Sequence, residues 1–377
     1  MPSDRQSRRI AQQRLVEAMA RHSAYLHRAS TAQVNEIREA VDRLGVSLAS
    51  ELAERLDNLS PAELQAFAAG RYHTDRLKGL RNTIDKWAAG LGKEIDTLAR
   101  AGFEELAGHE ASYARDMLGR VLEDDVPKAP TAAAAYAAAM GKPVLGELVA
   151  DMLADIPERT RQQVYSRVRQ GVSQGETNYQ IVRALRGTKE LQYKDGTLQW
   201  ARNAVERVVR TGRNHVSNVA YEETYQALGV EELVWTSTLD GRTSEVCAAR
   251  DGQRYKVGTS HPSPPAHPNC RSVLAPSLDG NVMGNRPYVR AFKPVGQIPK
   301  DERPADMIGQ VSGRTTFASW FDRQPASFQR EWLGASRYDL YRQGDYTLDR
   351  FIDPTGRKLT LAELRQRDTA TFEELFG

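Results

Sequence analysis

The stretch from Trp235 to Pro276 most constrains the fold, because it concentrates turn residues and holds both cysteines of the chain. Asp-Gly pairs at 240–241 and 251–252 predict two turns, and four prolines lie between His261 and Pro268. Proline fixes φ and removes a backbone donor, so this loop is expected to have little regular hydrogen bonding. The pattern predicts a small module with long turns, whose stiff loop loses little entropy when it docks on a partner.

Upstream of this stretch, the apolar residues recur with helical spacing. The positions from Val34 to Leu56, and those from Leu77 to Leu98, repeat at intervals of three and four residues, which predicts two amphipathic helices. Ser30 and Ser60 are each followed three residues later by Gln or Glu, which predicts two helix starts with capping boxes. The second stripe fits either packing within a helical bundle or a seam between copies of the chain.

The centre of the chain combines one long helix with short strands. The helix is predicted from about residue 198 to residue 228, and Gly229 stands where a left-handed C-terminal cap is wanted. Strands are predicted at Leu233 to Thr236, Arg254 to Val257 and Arg271 to Leu274. The predicted fold class is therefore α+β and mostly α: a helical N-terminal region, a helix with a small β-sheet module and long turns, and a C-terminal appendage.

Changes in composition predict the domain boundaries. Pro127 and Pro130 end the N-terminal helical part, and an alanine run follows them. After Pro276 the chain is rich in glycine and proline, and aromatic residues return from about residue 314. The predicted segments are an N-terminal helical domain at 1–125, a hinge at 126–142, the domain that carries the module at 143–276, an extended arm or linker at 277–313, and a small appendage at 314–377.

The charge balance argues against a protein dedicated to binding nucleic acid. The chain has 52 basic and 49 acidic residues and a net charge of +3. An N-terminal group of arginines could touch phosphate weakly, although a solvated helix face explains it as well: Arg5, Arg8, Arg9 and Arg14. Neither a membrane span nor a secretory signal is expected from the sequence. Two cysteines do not make a disulfide framework, so synthesis in a reducing cytoplasm is expected.

Two cysteines and two histidines in the turn-rich stretch are candidate metal ligands. His267 and Cys270 are three residues apart, and Cys247 could approach from the opposing turn, with His261 as a further candidate. Zinc would suit a module with a thin core, because its ligation contributes to folding. The spacing lacks a C-x-x-C pair, so two buried thiols beside hydrogen-bonded histidines remain an alternative. A disulfide between Cys247 and Cys270 is a further alternative in an oxidising medium.

The enzyme alternative is a metal- or thiol-dependent hydrolase with its site at Cys247, His267 and Cys270. Such a Cys–His pair needs an orienting third group, for which Asp240 or Asp251 could serve. The sequence lacks a phosphate-cradling Gly-rich loop, G-x-S-x-G and H-E-x-x-H. The histidines on helical stretches are expected to be surface or packing residues: His22, His27, His73 and His109.

The order of short motifs in this stretch resembles one family. The motifs are W-T-S at 235–237, D-G-R-T at 240–243, Cys247, D-G-Q-R-Y at 251–255 and P-P-A-H-P-N-C-R at 264–271. They resemble the head morphogenesis domain of the phage Mu protein F-like minor head proteins, and residues 171–187 and 210–211 agree with it. The resemblance covers roughly residues 145 to 276, and residues 320–363 resemble a tail segment seen behind this domain. The residues that match the family motif are Trp235, Asp240, Arg242, Thr243, Gly252, Pro265, His267, Pro268, Cys270 and Arg271.

The resemblance implies a structural protein without catalytic residues. Such proteins are minor head components that associate with the portal, act in procapsid assembly and in some cases leave the head with the DNA. The implied partners are the portal protein, the major capsid or scaffolding protein and other copies of the chain, with the N-terminal helices making portal or shell contacts. The implied location is the virion, and the host cytoplasm during assembly.

The chain departs from the family at two positions that concern a metal. Ser272 stands where many members have a second cysteine after the H-P-N-C motif, and Ser244 precedes the lone Cys247 where many have a Cys or His pair. A structural zinc implied by the family would therefore have at most Cys247, His267, Cys270 and a fourth ligand that the sequence does not identify.

Overall fold

The computed structural model describes residues 4–122, 127–191, 193–278 and 280–377. Within these ranges the chain is mostly helical and has two small sheets of three strands each, which confirms the predicted α+β class. None of the helices in the described ranges is long and apolar enough to cross a membrane.

The helices and strands follow one another in this order. The first eight helices are α1 (Asp4–Gln13), α2 (Leu15–Asp57), α3 (Pro61–Ala68), α4 (Asp75–Gly119), α5 (Ala132–Gly141), α6 (Val149–Ser173), α7 (Asn178–Arg186) and α8 (Gln199–Ala227). The central elements are β1 (Glu232–Thr236), β2 (Leu239–Asp240), α9 (Glu245–Arg250), β3 (Arg254–Lys256), β4 (Val273–Ser277), β5 (Asn285–Val289) and β6 (Ile308–Ser312). The last helices are α10 (Phe317–Asp322), α11 (Ala326–Leu333), α12 (Ala335–Gln343), α13 (Leu361–Arg367) and α14 (Thr369–Phe376).

The chain forms two compact units, each built from stretches that are distant in the sequence. Unit 1 combines Met1–Arg28, Ala107–Ala135 and Asn214–Gly377, and unit 2 combines Ala29–Leu106 and Tyr136–Arg213. The predicted domains instead follow one another along the chain, and their boundaries stay predictions. The boundary predicted at residues 125 and 126 lies outside the described residues.

Unit 2 is a bundle of helices packed by the predicted apolar stripes. Buried side chains recur along both long helices: Val34, Ile37, Val41, Leu48 and Leu52 in α2, and Leu77, Leu80, Ile84, Leu91 and Ile95 in α4. The indole N–H of Trp87 also donates a 2.8 Å hydrogen bond to the carbonyl of Leu44. Because the stripe on α4 is buried within one chain, the structure favours bundle packing over a seam between copies.

One of the two predicted helix starts is correct. The Ser60 hydroxyl accepts from the Glu63 backbone N–H at 3.3 Å, and the Glu63 carboxylate accepts from the Ser60 N–H at 3.0 Å, which confirms the capping box. The start predicted at Ser30 is wrong, because α2 continues through it. Ser30 is buried, and its hydroxyl accepts from the Arg210 guanidinium instead of capping a helix.

Unit 1 contains both sheets. The first has the order β3-β1-β4 and is antiparallel, with Trp235 opposite Leu274. The second has the order β2-β5-β6, in which β2 and β5 are parallel. The three predicted strands correspond to β1, β3 and β4. Residues 277–313, predicted as an extended arm or linker, contain β5 and β6. The pairing of β5 with β2 joins residues about 50 positions apart and leaves no local pattern.

The C-terminal helices of unit 1 pack against the motif-rich stretch. A cluster of buried aromatic residues shares its core with Leu239 and Ala248: Phe317, Trp320, Phe321, Phe328 and Phe351. The indole N–H of Trp332 donates to the carbonyl of Thr243 at 2.9 Å. Residues 314–377 therefore form an ordered part of unit 1 that covers elements of the turn-rich stretch.

Candidate functional site: the polar centre of residues 235–276

The carboxylate of Asp240, at the end of β2, is the centre of a buried ion pair. Its side chain is 1% exposed, and the Arg271 guanidinium donates to both carboxylate oxygens, one of them at 2.7 Å. The backbone N–H and the guanidinium of Arg242 also donate to this carboxylate, at 3.0 and 3.1 Å. The Thr243 hydroxyl lies 3.3 Å from the same group. Three other residues of the family motif thus surround the carboxylate of Asp240.

The arginines keep Asp240 ionised in spite of its burial. Burial alone would raise the pKa of this carboxyl, but the hydrogen bonds and charge of Arg271, with the charge of Arg242, outweigh it and lower the pKa. Burial likewise opposes the charge of Arg271, and Asp240 raises the pKa of that guanidinium. Such a buried pair fixes the position of β2 relative to the residues before β4.

A second buried ion pair joins Asp251 and Arg286. Their side chains are 0% and 4% exposed, and two parallel contacts of 2.9 and 3.0 Å link them. The Asp251 carboxylate also accepts from the backbone N–H groups of Ser237 and Phe317, each at 2.6 Å. This pair was not predictable from the sequence, because Arg286 lies in a stretch without clear periodicity and nothing local links it to Asp251.

Trp235 and Gly252 hold the turn that follows α9. Trp235 is fully buried, and its indole N–H donates to the Ser237 hydroxyl at 2.9 Å. The backbone N–H of Gly252 donates to the Trp235 carbonyl at 2.8 Å. Gly252 has a φ of +85°, and a Cβ there would lie 2.7 Å from the Thr316 methyl carbon. The motif therefore needs glycine here for both conformation and space.

The two cysteines lie side by side as free thiols. Cys247 is placed by the short helix α9, whose N-cap is the Ser244 hydroxyl, and Cys270 follows the proline-rich loop. Both residues are 2% exposed, and their sulfur atoms are 3.6 Å apart. Within that loop Pro265 is buried, whereas Pro268 is exposed and its carbonyl accepts a 2.8 Å hydrogen bond from His267 Nδ1.

The three groups favour a thiolate on Cys270. Burial opposes ionisation of this thiol, but hydrogen bonds from Cys247 and His267 outweigh it and lower its pKa well below the ordinary value. The interaction with Cys270, followed by burial, raises the pKa of Cys247. Burial alone would lower the pKa of His267, but its contacts with Cys270 reverse the effect and raise it. The cluster thus resembles a thiolate–imidazolium pair with a neutral thiol beside it.

The donor set also fits a metal ion. One ligand atom from each of Cys247, His267 and Cys270 lies within 4.8 Å of the others, and His261 is not part of this group among the described residues. Two sulfur atoms about 2.3 Å from a tetrahedral zinc lie about 3.8 Å apart, close to the observed 3.6 Å. His267 uses Nδ1 for a backbone carbonyl, which leaves Nε2 as the ligand atom in the usual arrangement.

The predicted orienting carboxylates have other partners. Asp240 is bound by Arg271 and Asp251 by Arg286, while His267 donates from Nδ1 to the Pro268 carbonyl. His261 stacks on Tyr255 at a ring distance of 5.1 Å. The geometry therefore supplies a Cys–His pair whose imidazole is oriented by a backbone carbonyl.

The structure also brings together two histidines that the sequence analysis assigned to surface or packing roles. His22 and His109 both contact the carboxylate of Glu110, which is fully buried. The sequence gives no signal for this cluster, because His22 and Glu110 are 88 residues apart.

Comparison with known proteins finds a family match in the central segment of the chain. Residues 162–275 match the family model of the phage Mu protein F like proteins. This phage Mu protein F like segment runs from within α6 to β4 and confirms the predicted resemblance over these residues. The match supports a structural role in phage head morphogenesis in general. No curated protein and no solved structure gives a significant match to the chain.

Within the phage Mu protein F like segment, the motif residues hold elements together. Asp240 and Arg271 form the buried pair, Trp235 fills the core and Gly252 allows the close turn. Their roles in this chain are therefore ones of packing and internal hydrogen bonding.

Proposed function

We propose that the chain is a minor head protein of a phage, which associates with the portal and acts in procapsid assembly and head morphogenesis. The match of residues 162–275 to a phage head family carries this proposal. The Asp240–Arg271 pair supports it, because the charged motif residues bind one another in the interior. In this role the chain is made in the host cytoplasm and resides in the virion head.

The decisive experiment is quantitative mass spectrometry of purified procapsids and mature virions, normalised to the portal subunit. We expect a fixed, low ratio of this chain to portal in both particles. Presence in procapsids alone would make it a transient assembly factor. Absence from both particles would refute the proposal. Loss of the chain from heads that have emptied their DNA would identify it as an ejected protein.

We infer that a groove on unit 2 contacts the portal. Exposed apolar side chains of Val46 in α2 and Tyr179 in α7 lie along it, and its volume is about 700 Å³. Arg183, Arg186 and Lys189 supply positive charge around these residues and outnumber the single acidic lining residue, Glu190. A complementary portal segment would present one large apolar side chain flanked by acidic residues.

This contact is tested by replacing Tyr179, which is 74% exposed, with serine. The purified variant should bind isolated portal rings at least tenfold more weakly, and its ratio to portal in procapsids should fall. Ile308→Ser is a matched control, because Ile308 is 54% exposed on β6 of unit 1. Equal binding by both variants would exclude the groove as the contact.

The remaining partners are proposed on more general grounds. The major capsid or scaffolding protein and other copies of the chain are the surfaces that a head component meets during assembly. A weak contact with DNA remains a proposal for the N-terminal arginines, of which Arg5 and Arg8 have side chains outside the described part. Such a contact would weaken steeply with salt, whereas binding to capsid protein through apolar surface would not.

A second candidate function is a thiol-dependent hydrolase, because His267 favours a thiolate on Cys270. The burial of that thiol speaks for a structural role instead. The test is the double variant Cys247→Ser with Cys270→Ser. Heads that assemble normally but lose infectivity would favour chemistry at this site. A variant that fails to fold would assign the cysteines to structure.

We propose that Cys247, His267 and Cys270 bind a structural zinc ion. When bound, zinc would tie α9 to the end of the proline-rich loop, and water could complete its coordination. Wild-type protein purified without chelator should contain zinc at this site. The Cys270→Ser variant purified in the same way should lack that zinc. Zinc content that is unchanged in this variant would refute the proposal.

A further inference from the structure

The carboxylate of Glu110 in α4 lies at the centre of a second polar cluster in unit 1. His22 Nε2 donates to Oε2 at 2.8 Å, and His109 Nδ1 donates to Oε1 at 2.7 Å. The hydroxyl of Tyr221, on α8, also donates to Oε2. The Glu110 side chain is 0% exposed, so three groups from three helices enclose one buried charge.

Among the described residues, no guanidinium or ammonium group forms an ion pair with Glu110. Its ion-pair partners in the described part of the chain are the two imidazoles. Burial opposes its ionisation, but contacts with His22, Tyr221 and His109 outweigh burial and lower the pKa of the carboxyl. Two imidazole nitrogens and a buried carboxyl group thus meet at one point, which is a mixed nitrogen and oxygen donor set.

We propose that His22, His109 and Glu110 form a binding site for a divalent transition metal, with zinc as the best fit. One ligand atom from each residue lies within 4.8 Å of the other two. Two imidazoles and one carboxylate are a set that zinc accepts, with a fourth position for water. Calcium and magnesium prefer sites built from oxygen ligands and fit this set poorly.

The surroundings hold the ligands in place and leave a path for the ion. The His22 ring stacks on Tyr113 at 3.7 Å with 9° between the ring planes, which fixes its orientation. The Tyr221 hydroxyl donates a hydrogen bond to one carboxylate oxygen of Glu110, as groups around metal ligands commonly do. His109 has a side chain that is 61% exposed, so the ion can enter from solvent beside it.

Coordination would replace the two hydrogen bonds between the imidazoles and the carboxylate. Ligand atoms about 2.0–2.1 Å from a tetrahedral zinc are about 3.3 Å apart, so the contacts must open by roughly half an ångström. A turn of the exposed His109 ring supplies much of this movement. The competing state is the hydrogen-bonded cluster without an ion, and metal titration separates the two.

The test uses the full chain and must exclude the thiol cluster. In the background Cys247→Ser with Cys270→Ser, equilibrium dialysis against Zn²⁺ should give one bound ion per chain. Co²⁺ bound in this background should lack the sulfur-to-metal charge-transfer band that a thiolate ligand produces. His109→Asn should lower the stoichiometry to none, and Glu110→Gln should weaken binding at least tenfold.

Controls separate metal binding from folding. His73→Asn alters an exposed histidine of unit 2 and should leave the stoichiometry unchanged. His109→Asn alters a hydrogen bond to the buried Glu110 carboxylate, so its circular dichroism should match that of the parent, whereas its melting temperature without metal should fall modestly. If the double serine background fails to fold, the same comparison applies to the wild-type chain, where His109→Asn should remove one ion and leave the sulfur band intact. Zinc binding that His109→Asn does not change would overturn the proposal.

Discussion

The carboxylate of Asp240 depends on Arg271 for its place in the interior. We expect Asp240→Asn to lower the free energy of unfolding by about 3–5 kcal/mol, because it leaves the guanidinium buried without its counter-charge. Urea unfolding followed by circular dichroism measures this change. Asp96→Asn is the control: Asp96 pairs with Arg100 on the exposed surface of α4, and its loss should cost less than about 1 kcal/mol.

The same residue predicts how stability depends on pH. The pKa of Asp240 is lowered from its ordinary value of 3.8, so its contribution is complete above pH 3.8. The contribution is lost as the pH falls from 3.8 through the lower pKa of the folded state. The stability gap between wild type and Asp240→Asn should therefore narrow only below pH 3.8. A gap that narrows between pH 7 and pH 5 would show that another group controls the pair.

At the scale of elements, two helix glycines should respond to alanine in opposite directions. Gly90 in α4 has no neighbour within 4 Å of an added Cβ, so Gly90→Ala should stabilise unit 2 by about 0.5–1 kcal/mol. A Cβ at Gly212 in α8 would lie 2.7 Å from the Phe103 ring, so Gly212→Ala should destabilise unit 2. Thermal melts of both variants measure this difference. Equal shifts would show that the Phe103 ring moves aside without cost.

Elements specified by local patterns were predictable from the sequence. The Ser60 box and the cap at Gly229, which has a φ of +70°, depend on residues within one helical turn. The pattern at Ser30 failed because a capping sequence does not end a helix whose apolar face continues. Strand β5 could not be predicted, since Pro287 interrupts its pattern and its partner β2 has two residues.

Of the candidate site, the sequence predicted the members but not all of their contacts. Cys247, His267 and Cys270 lie together because α9 and the end of the proline-rich loop meet, and their role as metal ligands stays a prediction. The Asp251–Arg286 pair and the Glu110 cluster join residues 35 and 88 positions apart. Contacts at such separations are set by the packing of whole elements, which no short motif encodes.

At the scale of the molecule, the C-terminal segment should be indispensable for unit 1. Removal of residues 314–377 would expose Leu239 and Ala248 and take the Phe317 N–H from the Asp251 carboxylate. We expect this truncated chain to aggregate, as measured by its soluble fraction and by size-exclusion chromatography. Truncation after Asp368 removes only α14 and should leave the protein soluble. A soluble, monomeric 1–313 chain would show that the segment is a separable appendage.

The division of unit 1 among distant stretches has a consequence for its synthesis. Leu15, Val16 and Met19 share an apolar cluster with Val273 and Leu274. Roughly 250 residues separate these partners, so at about 5–20 residues per second the ribosome needs roughly 10–50 s to deliver the second set. During that interval the apolar face of the nascent N-terminal helix lacks its partners from β4, although Leu118 of α4 is made earlier. Chaperones or an assembling head could therefore capture the chain while translation is still under way.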